Sequence, residues 1–127
     1  MAANQIRVAM AITTLFAIQL LFGAASASIT PPSSGDWTIE ASEEAHITSQ
    51  TMVQGNIDIY GSLTIDSGSL SIWGSSDGER TITVKDGGAL KVLNNTAIRT
   101  YTSTCYNIEV QPGGSMEVNN SSIQDAC

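Results

Sequence analysis

"VKDGGALKVLNN" (Val84–Asn95) returns 26 residues later as "VQPGGSMEVNN" (Val110–Asn120), and a looser copy, "IDSGSLSIWGSS" (Ile65–Ser76), precedes both. Each copy carries a glycine-containing turn between two short segments in which apolar and polar residues alternate. The first unit reads Leu63-Thr64-Ile65, Asp66-Ser67-Gly68, Leu70-Ser71-Ile72. The second reads Ile82-Thr83-Val84, Asp86-Gly87-Gly88, Leu90-Lys91-Val92, and the third Ile108-Glu109-Val110, Pro112-Gly113-Gly114, Met116-Glu117-Val118. Aligned on Leu70, Leu90 and Met116, the periods are 20 and 26 residues. Periods of that size mark solenoids, in which one supersecondary unit stacks on the next. The extra length of the last period is expected in "RTYTSTCY" (99–106). Gly68, Gly87, Gly88, Gly113 and Gly114 are read as turn residues that supply a positive φ.

Outward from these units the alternation continues in Ile57 and Ile59, and no helical stripe of useful length follows residue 36. Period two with β-branched enrichment predicts short strands that each bury one face. The expected class is therefore all-β. Asp-Gly between alternating apolar residues is also a hairpin signal, so the rival arrangement is a small antiparallel β-sandwich. Two features favour stacked β-arches. Polar doublets, Ser75-Ser76, Asn94-Asn95 and Asn119-Asn120, follow each second strand, as rung-to-rung ladders require. Ile98 and Ile123 stand at one offset from their doublets, as a third face of a coil would.

The N-terminal segment has the order of a secretory signal: Arg7 as its only charge, an uncharged run from Val8 to Phe22, then Ala25-Ser26-Ala27. Cleavage is expected between Ala27 and Ser28; the alternative is a retained membrane anchor. "SITPPSSGD" (28–36) reads as a flexible leader, and 37–127 as the repeat domain. Removing residues 1–27 takes away Arg7 only, leaving 4 basic and 12 acidic residues, a net charge of 4 − 12 = −8. That balance disfavours nucleic acid and anionic lipid as partners. In an exported chain Cys105 and Cys127 are expected to be oxidised, either to each other or between molecules; the terminal position of Cys127 favours a link to a neighbour.

The run "NIDIYGSLTIDSGSLSI…TITVKDGGALKVLNNTAI…YNIEVQPGGSMEVNNSSI", after a signal segment and "SGDWTIEASEEAHI", resembles the right-handed β-helix repeats of archaeal extracellular proteins over residues 36–126. More narrowly, it resembles the subunit of the tubular sheath around methanogenic archaea. The resemblance implies β-arches stacked into amyloid-like hoops, linked partly by disulfides, in a secreted envelope layer.

Enzymes on parallel β-helices need grouped carboxylates with a basic residue or with calcium. Asp66 and Asp86 occupy matching turn positions in two units, so stacking is expected to bring them together as weak calcium candidates or as caps of their own turns. His46 is the only histidine, which leaves none for a histidine cluster or a Ser-His-Asp set. Trp37, Tyr60, Trp73, Tyr101 and Tyr106 either form a sugar-stacking platform or cover an open edge of the core. Asn94, Asn119 and Asn120 each open an Asn-x-Ser/Thr sequon, and glycosylation there competes with an asparagine ladder; the ladder is favoured. The expected function is a non-enzymatic, self-assembling envelope subunit without cofactor, nucleic acid or small-molecule substrate. A secreted adhesin or carbohydrate-binding module is the alternative. With only four residues after Ile123, the C-terminal edge is expected to lack a cap and to accept another copy, propagating into a ring or filament.

Overall fold

The computed structural model describes residues 28–127; residues 1–27, for which a helical signal segment is expected, lie outside the described residues. The strands are β1 (Ser28–Ile29), β2 (Trp37–Ile39), β3 (Glu44–Ile47), β4 (Gln50–Val53), β5 (Ile57–Ile59), β6 (Ser62–Asp66), β7 (Ser69–Ile72), β8 (Thr81–Val84), β9 (Ala89–Leu93), β10 (Ala97–Thr100), β11 (Asn107–Val110), β12 (Ser115–Asn119) and β13 (Ser122–Ile123). They form three sheets: β2-β5-β8-β11, β1-β3-β6-β9-β12 and β4-β7-β10-β13. Every ladder is parallel. The described residues thus form a β-solenoid of four three-strand rungs, and among them no strand pairs antiparallel with its sequence neighbour as a hairpin would require.

The alternating residues become columns through the interior. Trp37, Ile57, Ile82 and Ile108 form one, and Ile39, Ile59, Val84 and Val110 the next. On the second face Ala45, Leu63, Leu90 and Met116 stand beside Ile47, Ile65, Val92 and Val118. On the third, Leu70, Ile98 and Ile123 align. Columns of like side chains let each rung repeat the packing of the one below, and every fully buried Ile, Leu or Val contributes about 1.5–3 kcal/mol. Tyr106 is also fully buried, and its hydroxyl donates to the Ile98 carbonyl at 3.1 Å.

The register corrects the repeat alignment. Leu90 sits on Leu63, 27 positions earlier, and not on Leu70, whose partner is Ile98. The 26-residue step from Leu90 to Met116 holds. The true rungs differ in length most at one corner, which carries 54–56, 73–80 and 101–106 in successive turns. A further correction concerns the leader. Ser28 and Ile29 pair with Glu44 and Ala45, and Ile29 packs against the core, so the solenoid starts nine residues before Trp37.

Glycine has two roles in the corners. Gly87 and Gly113 take φ of 80° and 87°, whereas in Asp66-Ser67-Gly68 the positive φ falls on Ser67 (58°). Gly88 and Gly114 are needed for close approach: a Cβ on Gly88 would lie 2.1 Å from the Ile59 carbonyl oxygen of the rung below.

Candidate functional site

The two ends of the solenoid differ. At the first rung Trp37, Ile39, Ala45, Ile47 and Val53 are all at most 4 % exposed. Ile29 extends the Ala45 column by one residue at that end. At the last rung the inward positions run out of cover. Val110 and Val118 are 42 % and 44 % exposed, although the residues beneath them, Val84 and Val92, are at 0 %. Ile108, Met116 and Ile123 are partly buried against the core. Their strands, β11, β12 and β13, are the outermost of their sheets among the described residues, so one row of backbone N–H and C=O groups on each lacks a strand partner there.

A disulfide fastens this end. Cys105 and Cys127 are bonded within the chain, with Cα atoms 5.2 Å apart, which overturns the expected link of Cys127 to a neighbour. The pairing follows from how the corner loops stack. The Cys105 N–H donates to Asp77 at 2.9 Å, and the Gly78 N–H donates to the Cys105 carbonyl at 3.0 Å. One layer up, Tyr106 bridges Ala126, and the Cys127 N–H donates to the Tyr106 carbonyl at 2.8 Å. Cys127 therefore lies over the loop that holds Cys105. Such a bond is compatible with an oxidising compartment. Burial, and then the nearby Asp125 charge, push the Tyr106 phenol well above its ordinary value.

The carboxylates do not gather. Asp66 registers with Leu93, on the corner between the second and third faces, whereas Asp86 lies between β8 and β9. These are different corners, so the stacking that was to join them around calcium does not occur. Asp66 instead accepts from the Asn94 side-chain amide at 2.9 Å. Asp86 lies against Gly113, where a Cβ would meet its Oδ1. Among the described residues no group of three or more His, Cys, Asp or Glu side chains comes together. His46 stands exposed on the outer face of β3, 3.8 Å from Glu44. Glu79 accepts from the Ser75 N–H and hydroxyl, and these bonds hold its carboxyl below the usual range. That interaction also takes Ser75-Ser76 out of the expected ladder and into a loop of its own.

The asparagines stack with a one-residue offset. Leu93 registers with Asn119, which brings Asn94 over Asn120, and Ser67, Asn94 and Asn120 share φ between 51° and 58°. The column is built by these backbone conformations and by the Asn94–Asp66 bond. A shallow depression of about 450 Å³ lies beside it, lined by Asn95, Thr96, Ala97, Asn120, Ser121 and Ser122. Thr96, the sequon partner of Asn94, is 2 % exposed, with its hydroxyl 2.7 Å from the Leu93 carbonyl.

Of the five aromatic candidates, Trp37 and Tyr106 belong to the core. Tyr60, Trp73 and Tyr101 are outside, 40 %, 36 % and 65 % exposed. The Tyr101 N–H donates to the Ile72 carbonyl, one position before Trp73, so Trp73 and Tyr101 stand in register on adjacent rungs. Sequence spacing concealed this match, because the intervening corner loop varies in length. Comparison with protein-family models, with curated proteins and with solved structures finds no match to this chain.

Proposed function

We propose that this chain is a structural subunit of an extracellular cell-envelope layer, a sheath or surface layer, that assembles with copies of itself by strand-edge stacking. The observation that carries the reading is the last rung, where inward-facing Val110, Val118, Met116, Ile108 and Ile123 lose their cover on the same layer that offers three open strand edges. An apolar surface of this kind, framed by unpaired backbone groups, is a template for another chain. The chain acts without catalysis or cofactor, and its partner is itself. The net charge of −8 after loss of the signal segment suits an exported, soluble precursor.

The decisive experiment is to express the full chain with export, purify the secreted product and follow its mass by light scattering as concentration rises. Association that is lost in Val118→Lys, with the circular dichroism of the fold retained, supports the reading. A product that stays monomeric at high concentration under oxidising conditions overturns it. One observation favours a second reading, a carbohydrate-binding module: Trp73 and Tyr101 present two exposed rings in register. On that reading a glycan array or envelope polysaccharide binds the monomer, and Trp73→Ala together with Tyr101→Ala removes the binding.

A further inference from the structure

We infer that Asp125–Cys127 form a redox-released strap: the Cys105–Cys127 bond, rather than packing, holds these residues over Tyr106, and reduction of that bond lets them lift while the rungs stay folded. The device belongs to the single chain and is independent of self-association. Tyr106 is fully buried, yet every residue of the strap above it is exposed. Tyr106 bridges Ala126, and both of its backbone groups bond to the strap. Its N–H donates to the Asp125 carbonyl at 3.3 Å, and its carbonyl accepts from the Cys127 N–H at 2.8 Å.

Little else holds the strap down. The Asp125 carboxylate accepts from the N–H and from the hydroxyl of Thr100, each at 3.3 Å. Of these four hydrogen bonds, three are at the long, weak end of the range. Ala126 and Cys127 are exposed, so the strap buries no apolar side chain of its own. Asp125 holds a φ of 59°, a left-handed conformation that costs a non-glycine residue free energy. Ordering the backbone of one residue costs about as much as one net hydrogen bond returns, or more. On its hydrogen bonds alone the strap stands open, and the covalent bond closes it.

The two cysteines are held differently. The loop of Cys105 is tied to the rung beneath by the Cys105 N–H to Asp77 at 2.9 Å, the Gly78 N–H to the Cys105 carbonyl at 3.0 Å and the Thr102 hydroxyl to the Gly74 carbonyl at 2.9 Å. These bonds do not involve the strap and persist without it. Gln124, next to β13, is likewise fixed, its N–H donating to the Ile98 carbonyl at 2.8 Å. The hinge is therefore Asp125. Cys127 is exposed and Cys105 half-buried, so a small thiol reagent can reach the bond. A dithiol of the surroundings supplies two electrons and two protons: the S–S bond breaks, thiols form on Cys105 and Cys127, and the dithiol becomes a disulfide. The strap is thus closed in an oxidising compartment and open where dithiols prevail.

The test compares the oxidised full chain with its Cys105→Ser, Cys127→Ser double variant, both kept dilute. Tetranitromethane nitrates accessible tyrosines, and peptide mass spectrometry reads Tyr60, Tyr101 and Tyr106 separately. Tyr60 and Tyr101 are exposed and serve as internal standards. In the oxidised chain Tyr106 stays unmodified. In the double variant its nitration rate rises by at least about tenfold toward theirs, as local opening at little cost requires, with the circular dichroism unchanged. Hydrogen exchange of the parent reduced with dithiothreitol is the second measurement, and it decides if the double variant does not fold. Faster exchange at Tyr106 and Cys127, with β8 and β9 still protected, is the expected result. A Tyr106 that stays spared without the bond means that packing holds the strap, which overturns the inference. Reduction that strips protection from β8 and β9 also overturns it, because the bond then supports the whole coil.

Discussion

Val92 and Val118 occupy the same inward column one rung apart, yet Val92 is fully buried and Val118 is 44 % exposed. Replacing each by alanine removes the same two methyl-sized increments, so the pair isolates the effect of cover. For Val92→Ala the transfer contribution is about 1.6 kcal/mol at ~0.8 kcal/mol per group. The neighbours Ile65 and Leu90 are held by their own rungs and collapse only partly into the gap, which raises the cost to roughly 2–2.5 kcal/mol. For Val118→Ala little more than half of that surface is hidden and solvent fills the space, so about 0.5–0.9 kcal/mol is expected. In a domain of this size the difference amounts to roughly 6–12 °C in Tm. The assay is thermal and urea denaturation of the oxidised protein, followed by circular dichroism at concentrations dilute enough for monomer. Equal losses for the two variants would refute the reasoning, because they would mean that the last rung is covered within the monomer. Repeating the measurement at high concentration adds a second check: on the proposed self-assembly through the last rung Val118 becomes buried, and its cost should then approach that of Val92.

Reducing the Cys105–Cys127 bond, or substituting Cys127→Ser, frees a loop spanning 22 positions and should cost about 3 kcal/mol; non-reducing electrophoresis should show the untreated protein without disulfide-linked multimers. Tyr106→Phe removes the bond to Ile98 and should destabilise by about 1 kcal/mol at neutral pH. The raised Tyr106 pKa adds a pH signature: its contribution is fully present below the unfolded value near 10 and is lost as pH rises above it, because only the unfolded chain then ionises readily. Stability measured from pH 8 to 11.5 should therefore fall less steeply in Tyr106→Phe than in the parent. Gly113→Ala should be more damaging than an ordinary turn substitution, by roughly 1–3 kcal/mol, since it combines a φ of 87° with a collision against Asp86; urea midpoints would register the loss.

Strands were legible where the physics is local. Alternation at Ile82-Thr83-Val84 or Leu90-Lys91-Val92 leaves no other way to bury one side of a short extended segment, and both are strands with 0 % exposure at the apolar positions. The step from Leu90 to Met116, and Ile98 with Ile123 as a third face, were legible because that rung keeps its corners similar in length. Earlier partners were not, since "DSGSL" and "DGGAL" are alike only in solving the same turn problem, at two different corners. Ser28-Ile29 is too short, and too close to Pro31-Pro32, to carry a strand signal; its pairing depends on the exposed edge of β3. Tyr106 stands alone between a loop and β11 without an alternating neighbour, so nothing local marks it as core. The disulfide and the Trp73–Tyr101 register rest on how loops pile up, which distance along the chain does not encode. The open last rung combines both kinds of information: its apolar residues are evident from the pattern, but their exposure depends on which strands end the sheets.

The corner joining the third face to the first takes three residues at 54–56, eight at 73–80 and six at 101–106, while the flanking ladders keep their registers. Length at this one edge of the prism is therefore decoupled from the sheets. An epitope tag or a fluorophore-binding peptide inserted between Ser75 and Gly78 would project sideways from the coil, clear of both ends. On the proposed self-assembly, labelled subunits of that design could be followed in a growing layer with the end rungs left unaltered.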